Sequence, residues 1–255
     1  MKKSLCLFAC FALLLVAGAG FSQEAEPVAC TDSPSGAAGD LSIQFKGTSS
    51  VGAADPTGLL NIIQGPITIE TWVKLNDYND YWTGMVSWGF TYKMGISDAG
   101  NGGQFIFTFF GIVDIFSGYD VRPLVGDGLW HHFAAAWEPG VGVNFFVDGA
   151  EVGSVAETRS PRVPTSTNFT IGGEDVGKVP ITACMDRVRI HNAALTAAQL
   201  DSVAASPKAP LADTMVHYGF DETHAPYISA GSVHLALFPQ NAVGPSSTAQ
   251  WDLFR

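Results

Sequence analysis

The sequence predicts an all-β fold, a two-sheet antiparallel β-sandwich with one short helix on its C-terminal side. Three observations carry that prediction. β-Branched and aromatic residues come in short runs separated by glycine-rich turns. Several runs alternate apolar and polar residues, the period of a strand with one buried face. Asp148-Gly149 follows Val143-Asn144-Phe145-Phe146-Val147, and Asp-Gly between strand-like runs marks a two-residue hairpin turn. At 255 residues the chain is long enough to bury a full core in one large β domain.

Taken in order, the chain opens with Lys2 and Lys3, an apolar run from Leu5 to Gly20, and polar Ser22-Gln23-Glu24. This is the layout of a cleaved export signal over residues 1–22. The run falls short of the ~20 apolar residues that a span requires, so no membrane span is expected in the mature chain. Pro27 and two acids separate Cys30 from the apolar run, which argues against a lipoprotein cleavage box. Residues 23–39 read as a flexible lead-in, residues 40–205 as the sandwich, and residues 206–255 as a C-terminal extension.

Within the sandwich, Leu41-Ser42-Ile43-Gln44-Phe45 alternates as a half-buried strand does. Residues 67–74 do the same: Ile67, Ile69 and Val73 share one face, and Thr68, Glu70, Trp72 and Lys74 share the other. Further strands are expected at 84–90, 92–96, 104–110, 130–137, 142–147, 151–156, 169–171 and 181–190. A helix is expected over 196–204, where Thr196 and Gln199 have capping-box spacing and Pro207 lies beyond the end. Its expected role is to cover an end or edge of the sandwich. Residues 215–222 form a late strand, and an isolated strand is marginal in water, so it must pair with something. It either completes its own sandwich, the favoured arrangement, or is donated to a neighbouring subunit, which would produce self-association.

Removing the signal leaves Cys30 and Cys184. Two cysteines in an exported chain are most simply one disulfide; two unpaired thiols are the alternative. The formal net charge is −11, with no basic cluster beyond the signal. An acidic surface repels phosphate backbones, so nucleic acid is excluded as the expected partner.

Four ordered motifs carry a family resemblance. Ile67-Thr68-Ile69-Glu70-Thr71-Trp72-Val73-Lys74 is similar to a Thr-Ile-Glu-Ala-Trp-Val strand, and Asp127-Gly128-Leu129-Trp130-His131-His132 to an Asp-Gly-x-Trp-His-His signature. Asn168-Phe169-Thr170-Ile171-Gly172-Gly173 resembles the strand that follows. Residues 186–195 resemble Asp-Glu-Val-Arg-Ile-Tyr-Asn-Arg-Ala-Leu. Over about residues 41–204 the chain resembles the laminin-G-like branch of the concanavalin A-like lectin/glucanase superfamily. The resemblance implies a jelly roll, a secreted or cell-surface location, and an extracellular glycan or surface matrix as partner. It also implies that the first and late strands are neighbours, as a Cys30–Cys184 bridge requires.

Two departures from the family pattern bear on function. Some members hold calcium with acids after the first strand, but here Phe45-Lys46-Gly47-Thr48-Ser49-Ser50-Val51 has no carboxylate. Asp186 keeps a family position and, with Glu174 and Asp175, is a weak candidate for calcium elsewhere. The second departure is order. Met215-Val216-His217-Tyr218-Gly219-Phe220-Asp221-Glu222 resembles the Tyr-Trp-x-Phe-Asp-Glu strand that normally opens the domain, so here that strand is permuted to the end.

Glucanases of this superfamily carry Glu-x-Asp-x-x-Glu, because alternate residues of a strand share a face and can flank one glycosidic bond. That motif is missing, and the sole acids two apart are Glu24 and Glu26. Catalytic residues are therefore not expected. His131 and His132 are neighbours on a strand, point to opposite faces, and cannot chelate one ion. The expected ligand-binding residues are the loop Asp77, Tyr78, Asn79, Asp80, Tyr81 and Trp82, with Trp72 as a second candidate, since flat rings stack on sugars while amides and carboxylates meet hydroxyls. The commoner fate of such residues is a solvated turn with Tyr81 and Trp82 folded onto the core, and Trp72 buried beneath another layer. Asn168-Phe169-Thr170 matches a glycosylation sequon. The expected function is a secreted, non-catalytic carbohydrate- or matrix-binding module. The alternatives are an adhesive subunit assembling through its C-terminal strand and a divergent glycoside hydrolase.

Overall fold

The computed structural model describes residues 28–241 except 56, 57, 79, 80, 175–178, 206–210 and 224, so the proposed export signal lies outside the described residues. The strands are β1 Val28–Cys30, β2 Ser42–Lys46, β3 Ser49–Ala54, β4 Ile67–Leu75, β5 Thr83–Trp88, β6 Tyr92–Ile96, β7 Gln104–Phe109 and β8 Val113–Asp120. They continue with β9 His131–Glu138, β10 Gly142–Val147, β11 Ala150–Ala156, β12 Asn168–Ile171 and β13 Thr182–His191. After helix α1, Ala197–Ala205, come β14 Thr214–Tyr218, β15 Tyr227–Ile228 and β16 Ala236–Asn241. The first sheet runs β1-β2-β13-β4-β9-β10-β11, and the second β15-β16-β3-β12-β5-β6-β7-β8. All of the pairings are antiparallel, giving the two-sheet sandwich that the alternating runs predict.

The sandwich closes over large rings, the most effective way to fill the space between two sheets. Phe105 of β7 stands edge-on to Phe133 of β9 and Phe145 of β10, with both centroids 5.2 Å away. Phe109 meets Trp137 at 5.1 Å in the same way. In β4, Ile67, Ile69 and Val73 are fully buried in this core, as the alternation predicts. The Asp-Gly hairpin joins β10 to β11, with φ of 51° at Asp148 and 78° at Gly149. Positive φ at both central residues is what a type I′ turn demands, and glycine meets it without a Cβ clash.

Several strands escape the sequence pattern. β3 is Ser-Ser-Val-Gly-Ala-Ala, poor in strand formers, and is held extended by pairing on both edges, with β12 and β16. β8 and β16 are likewise absent from the sequence-based set, and residues 28–30, inside the segment read as lead-in, pair with β2. The tail joins both sheets of its own chain. β14 pairs with the second half of β13, and β16 pairs with β3. Tyr218 of β14 stacks on Phe169 at 6.0 Å and donates its hydroxyl proton to the Leu235 carbonyl at 3.0 Å.

Helix α1 covers the outer face of the first sheet. Leu200 and Val203 are its buried residues, and Leu200 packs with Ala134, Ala136, Phe146 and Leu195, the small side chains on β9 leaving room for it. Thr196 and Gln199 form the predicted capping box: Thr196 N–H donates to Gln199 Oε1 at 2.9 Å, and Gln199 N–H to Thr196 Oγ1 at 3.4 Å. Thr68 Oγ1 pins the approach to the helix, donating to the Ala193 carbonyl at 2.7 Å and accepting from Leu195 N–H at 2.9 Å.

Candidate functional site

Four titratable residues of the sequence motifs, Glu70, His132, Arg189 and His191, lie buried and bonded to one another. Glu70 of β4 accepts from His132 of β9 at 2.6 Å, from His191 of β13 at 3.0 Å and from Arg189 of β13 at 3.1 Å. Burial alone would raise the Glu70 pKa; the hydrogen bonds from His132 and His191 and the Arg189 charge hold it well below the usual carboxylate range. Thr214 Oγ1 lies 3.1 Å from the other nitrogen of His191, which aligns a hydroxyl, an imidazole and a carboxylate as in a nucleophilic relay. No substrate reaches it, because Glu70 and His191 are fully buried and Thr214 is 5 % exposed. This network joins β4, β9, β13 and β14, and its role is to hold the fold.

The predicted loop leads to the opposite side of the molecule from Trp72. Asp77 is exposed and its carboxylate accepts the Tyr78 N–H at 2.8 Å, while the Tyr78 hydroxyl donates to the Ser97 carbonyl at 2.8 Å. Tyr81 is half-buried and its carbonyl accepts from Thr83 Oγ1 at 3.1 Å. Trp82 stands edge-on to Phe116 of β8 at 5.9 Å, under the Lys93 ammonium at 5.5 Å. Phe116 and Lys93 alternate with core residues Ile115, Tyr92 and Met94, so Trp82 lies on the outer face of the second sheet. Trp72 lies on the outer face of the first, tilted against His132 at 5.2 Å, and its buried Nε1 makes no hydrogen bond among the described residues. The two tryptophans therefore do not share a site. Asn79 and Asp80 lie outside the described residues.

An open groove of about 400 Å³ crosses the first sheet where β1 ends. The register aligns its floor: Cys184 of β13 sits between Gln44 of β2 and Lys74 of β4, and in the adjoining row Lys46 and Asn76 flank Thr182. Asp32 forms a wall. Its carboxylate takes Lys74 Nζ at 2.6 and 2.7 Å and the Trp130 indole N–H at 3.2 Å. Partial burial would raise the Asp32 pKa, but these two donors hold it below its ordinary value. The Lys74 ammonium also lies 5.3 Å over the Trp130 ring. The Cys30–Cys184 disulfide, with Cα atoms 6.2 Å apart, ties the start of the chain here, two residues before Asp32.

The groove thus offers cationic and amide donors and amide and carboxylate acceptors, and a half-buried indole, Trp130, adjoins it through Asp32 and Lys74, which suits a ligand with several hydroxyls. Asp32 is its sole acidic lining residue among the described residues, where glycoside hydrolysis usually needs a pair. Sequence reasoning missed Asp32, Gln44, Lys46, Lys74 and Asn76 as one set, because Asp32 was read into a flexible lead-in. The available signal was Cys30: a bridged cysteine fixes whatever lies two residues beyond it.

The calcium candidates face cations of the protein itself. Glu174 is buried in an ion pair with Lys93, and the buried Asp186 carboxyl accepts a hydrogen bond from the Arg187 guanidinium. Among the described residues no group of three or more histidines, cysteines or acids is placed to hold a metal ion; Asp175 lies outside the described residues. His131 and His132 turn to separate partners, His131 to Asp148 at 2.7 Å and Asp127 at 3.0 Å, His132 to Glu70. No helix among the described residues is long and apolar enough to cross a membrane.

Comparison with known proteins places this geometry in context. The family model described as concanavalin A-like lectin/glucanases superfamily matches residues 45–201. No curated protein matches the sequence. Among solved structures, a candidate carbohydrate-binding protein from Bacteroides ovatus aligns with a TM-score of 0.58 at 15% identity, over 87% of this chain and 61% of that one. The heptameric SAP-like pentraxin of Limulus polyphemus aligns at 0.50 and 13% identity, over 81% and 97% of the two chains. The binding domain of botulinum neurotoxin serotype G aligns at 0.50 and 13% identity, over 72% and 45%. At such identities these likenesses establish the fold alone.

Proposed function

The chain belongs to the concanavalin A-like lectin/glucanases superfamily, and on that premise we propose that it is an exported, non-catalytic module that binds carbohydrate through the groove of the first sheet. The observation that carries this reading is the groove itself. Asp32, Lys74 and Trp130 are fixed by one another before any ligand arrives, so little side-chain entropy is lost on binding. The Trp130 ring, held beside the groove by Asp32 and Lys74, supplies apolar surface for a sugar face, and Gln44, Lys46 and Asn76 supply hydrogen bonds. Export is supported by the layout of residues 1–22 and by the disulfide, which persists in oxidising compartments. The partner is an extracellular glycan or glycan-bearing matrix; the net charge of −11 disfavours nucleic acid.

A glycan array probed with the purified protein, in calcium and again in EDTA, tests the reading. Selective binding in both buffers that disappears in Trp130→Ala, with the melting temperature unchanged, supports it. Absence of binding from folded protein overturns it, and binding that survives Trp130→Ala moves the site away from the groove.

A further inference from the structure

The groove gathers the lysines that reach solvent among the described residues. Lys46 and Lys74 both line it, while Lys93 is buried in its ion pair with Glu174. The full chain carries 13 lysines and arginines against 24 acids, so a lining with two cations and one carboxylate departs from the balance of the whole. The two lysines differ. Lys74 is held by the Asp32 carboxylate, which offsets its charge before any ligand arrives. Lys46 is exposed and makes no hydrogen bond or ion pair among the described residues. Every other lysine and arginine of the described residues donates to an oxygen of the protein, even exposed Arg122 to Asp120, Arg159 to Glu157 and Arg162 to the Gly111 carbonyl.

The register fixes what surrounds Lys46. It pairs with Thr182 across β2 and β13, and on the other side of Thr182 the Asn76 N–H donates to the Thr182 carbonyl at 3.1 Å. Neighbouring strands lie about 4.8 Å apart, so the Lys46 and Asn76 side chains approach the space over Thr182 from either side. The Asn76 amide meets only the Cys184 sulfur, at 3.9 Å, among the described residues. The row of Gln44, Cys184 and Lys74 runs two residues further along the strands, about 7 Å away, and the Asp32 carboxylate belongs to that row through Lys74. Asp77 follows Asn76 in the chain, but its carboxylate accepts the Tyr78 N–H and does not line the groove.

We propose that the groove takes an acidic sugar, a single uronic acid residue within an otherwise neutral glycan, its carboxylate lying over Thr182 between the Lys46 ammonium and the Asn76 amide. A carboxylate presents two acceptor oxygens, and these two donors match them, one with a charge-assisted bond. Asp32 and Gln44 remain for the hydroxyls of the adjoining ring. The charge of the whole chain sets the other limit: a net charge of −11 repels a densely charged polymer at long range, whereas one carboxylate finds one unpaired cation. The inference rests on the carbohydrate reading of the same groove and adds the charge of its ligand.

The test is calorimetric titration of the full-length protein, at pH 7 and low salt, with three trisaccharides. One has a central glucuronic acid, the second is its carboxyl-reduced glucose form, and the third is that neutral form bearing one sulfate ester. The uronate should bind at least about tenfold more tightly than the reduced form, the scale of a charge-assisted hydrogen bond. Lys46→Gln should bring that ratio to about one at an unchanged melting temperature, and Lys46→Arg should keep most of it. Arg162→Gln, outside the groove, should leave the ratio as it is, and Trp130→Ala should weaken both sugars together. Equal binding of uronate and reduced form overturns the acidic ligand, and tighter binding of the sulfate ester than of the uronate overturns the carboxylate. A ratio that survives Lys46→Gln overturns the placement. Trp130-dependent array binding with no preference for the uronate sinks this inference and leaves the groove standing as a site for neutral sugars; folded protein that binds neither array nor trisaccharides sinks both.

Discussion

Glu70 of β4 and Arg189 of β13 are paired residues of neighbouring strands, and Arg189 Nη1 lies 3.1 Å from Glu70 Oε1 with neither side chain exposed. Both belong to the motifs that mark the family in the sequence. His132 and His191 come from the same motifs and complete the coordination of the one carboxylate. The family signature here is therefore a buried electrostatic clasp across three adjacent strands. That is why it announces the fold strongly and says little about the ligand.

Glu70→Gln should destabilise the protein by about 3–5 kcal/mol, because it removes a buried charge and leaves Arg189 without its carboxylate. Urea unfolding followed by tryptophan fluorescence measures this. A change below about 1 kcal/mol, the scale of an exposed pair, would show the clasp to be incidental.

How much of this was legible in the sequence follows from the same residues. Period-two alternation exposed β4, and Asp148-Gly149 exposed the β10–β11 hairpin, because both signals are local. β3 was invisible: Ser-Ser-Val-Gly-Ala-Ala becomes a strand through β12 and β16, which lie far off in sequence. The site suffered in the same way. Lys74 and Trp130 lie 42 and 98 residues from Asp32 along the chain, and the three meet through sheet register and a disulfide. Trp82 in the first candidate site and Trp72, the second candidate, are ten residues apart in sequence, yet they sit on opposite outer faces.

That separation makes a direct test. Trp82→Ala should cost about 3 kcal/mol or less, through lost contact with Phe116 and the Lys93 ammonium, and should leave glycan binding intact. Trp130→Ala should show the opposite pattern. If instead Trp82→Ala abolished array binding at constant fold, the ligand would sit on the second sheet.

Replacing Cys30 and Cys184 by serine opens a loop spanning 154 residues. The chain-entropy estimate for such a loop is about 5 kcal/mol, an upper bound where the native state relaxes. The groove should weaken as well, since β1 and then Asp32 lose their anchor. Chemical denaturation and array binding, each with and without a reductant, measure the two effects separately. Unchanged binding in the reduced protein would mean that the Lys74 and Trp130 contacts position Asp32 without the bridge.

His217 of β14 and Asp186 of β13 act on stability with opposite signs. His217 titrates near 4 in the folded protein against an ordinary 6.5, facing Arg189, Arg187, Glu70 and His191. Between those values the unfolded chain binds a proton that the folded one refuses, so its contribution is complete above 6.5 and is lost as pH falls. Asp186 titrates near 8 against 3.8, so the folded protein keeps a proton that the unfolded chain has released, and its contribution is lost as pH rises toward 8. From pH 4.5 to 6.5 the two slopes oppose each other, and the Glu70 contribution, held in place by a lowered pKa, falls away only in more acid solution. Unfolding free energy should therefore be nearly flat across that window in the wild type. In His217→Asn it should fall by about 1.4 kcal/mol per pH unit as pH rises, the linkage slope of one proton. In Asp186→Asn it should rise with pH by a similar amount. Urea titrations at half-unit steps read all three slopes, and a His217→Asn curve as flat as the wild type would mean that neither the imidazole nor the Asp186 carboxyl is perturbed.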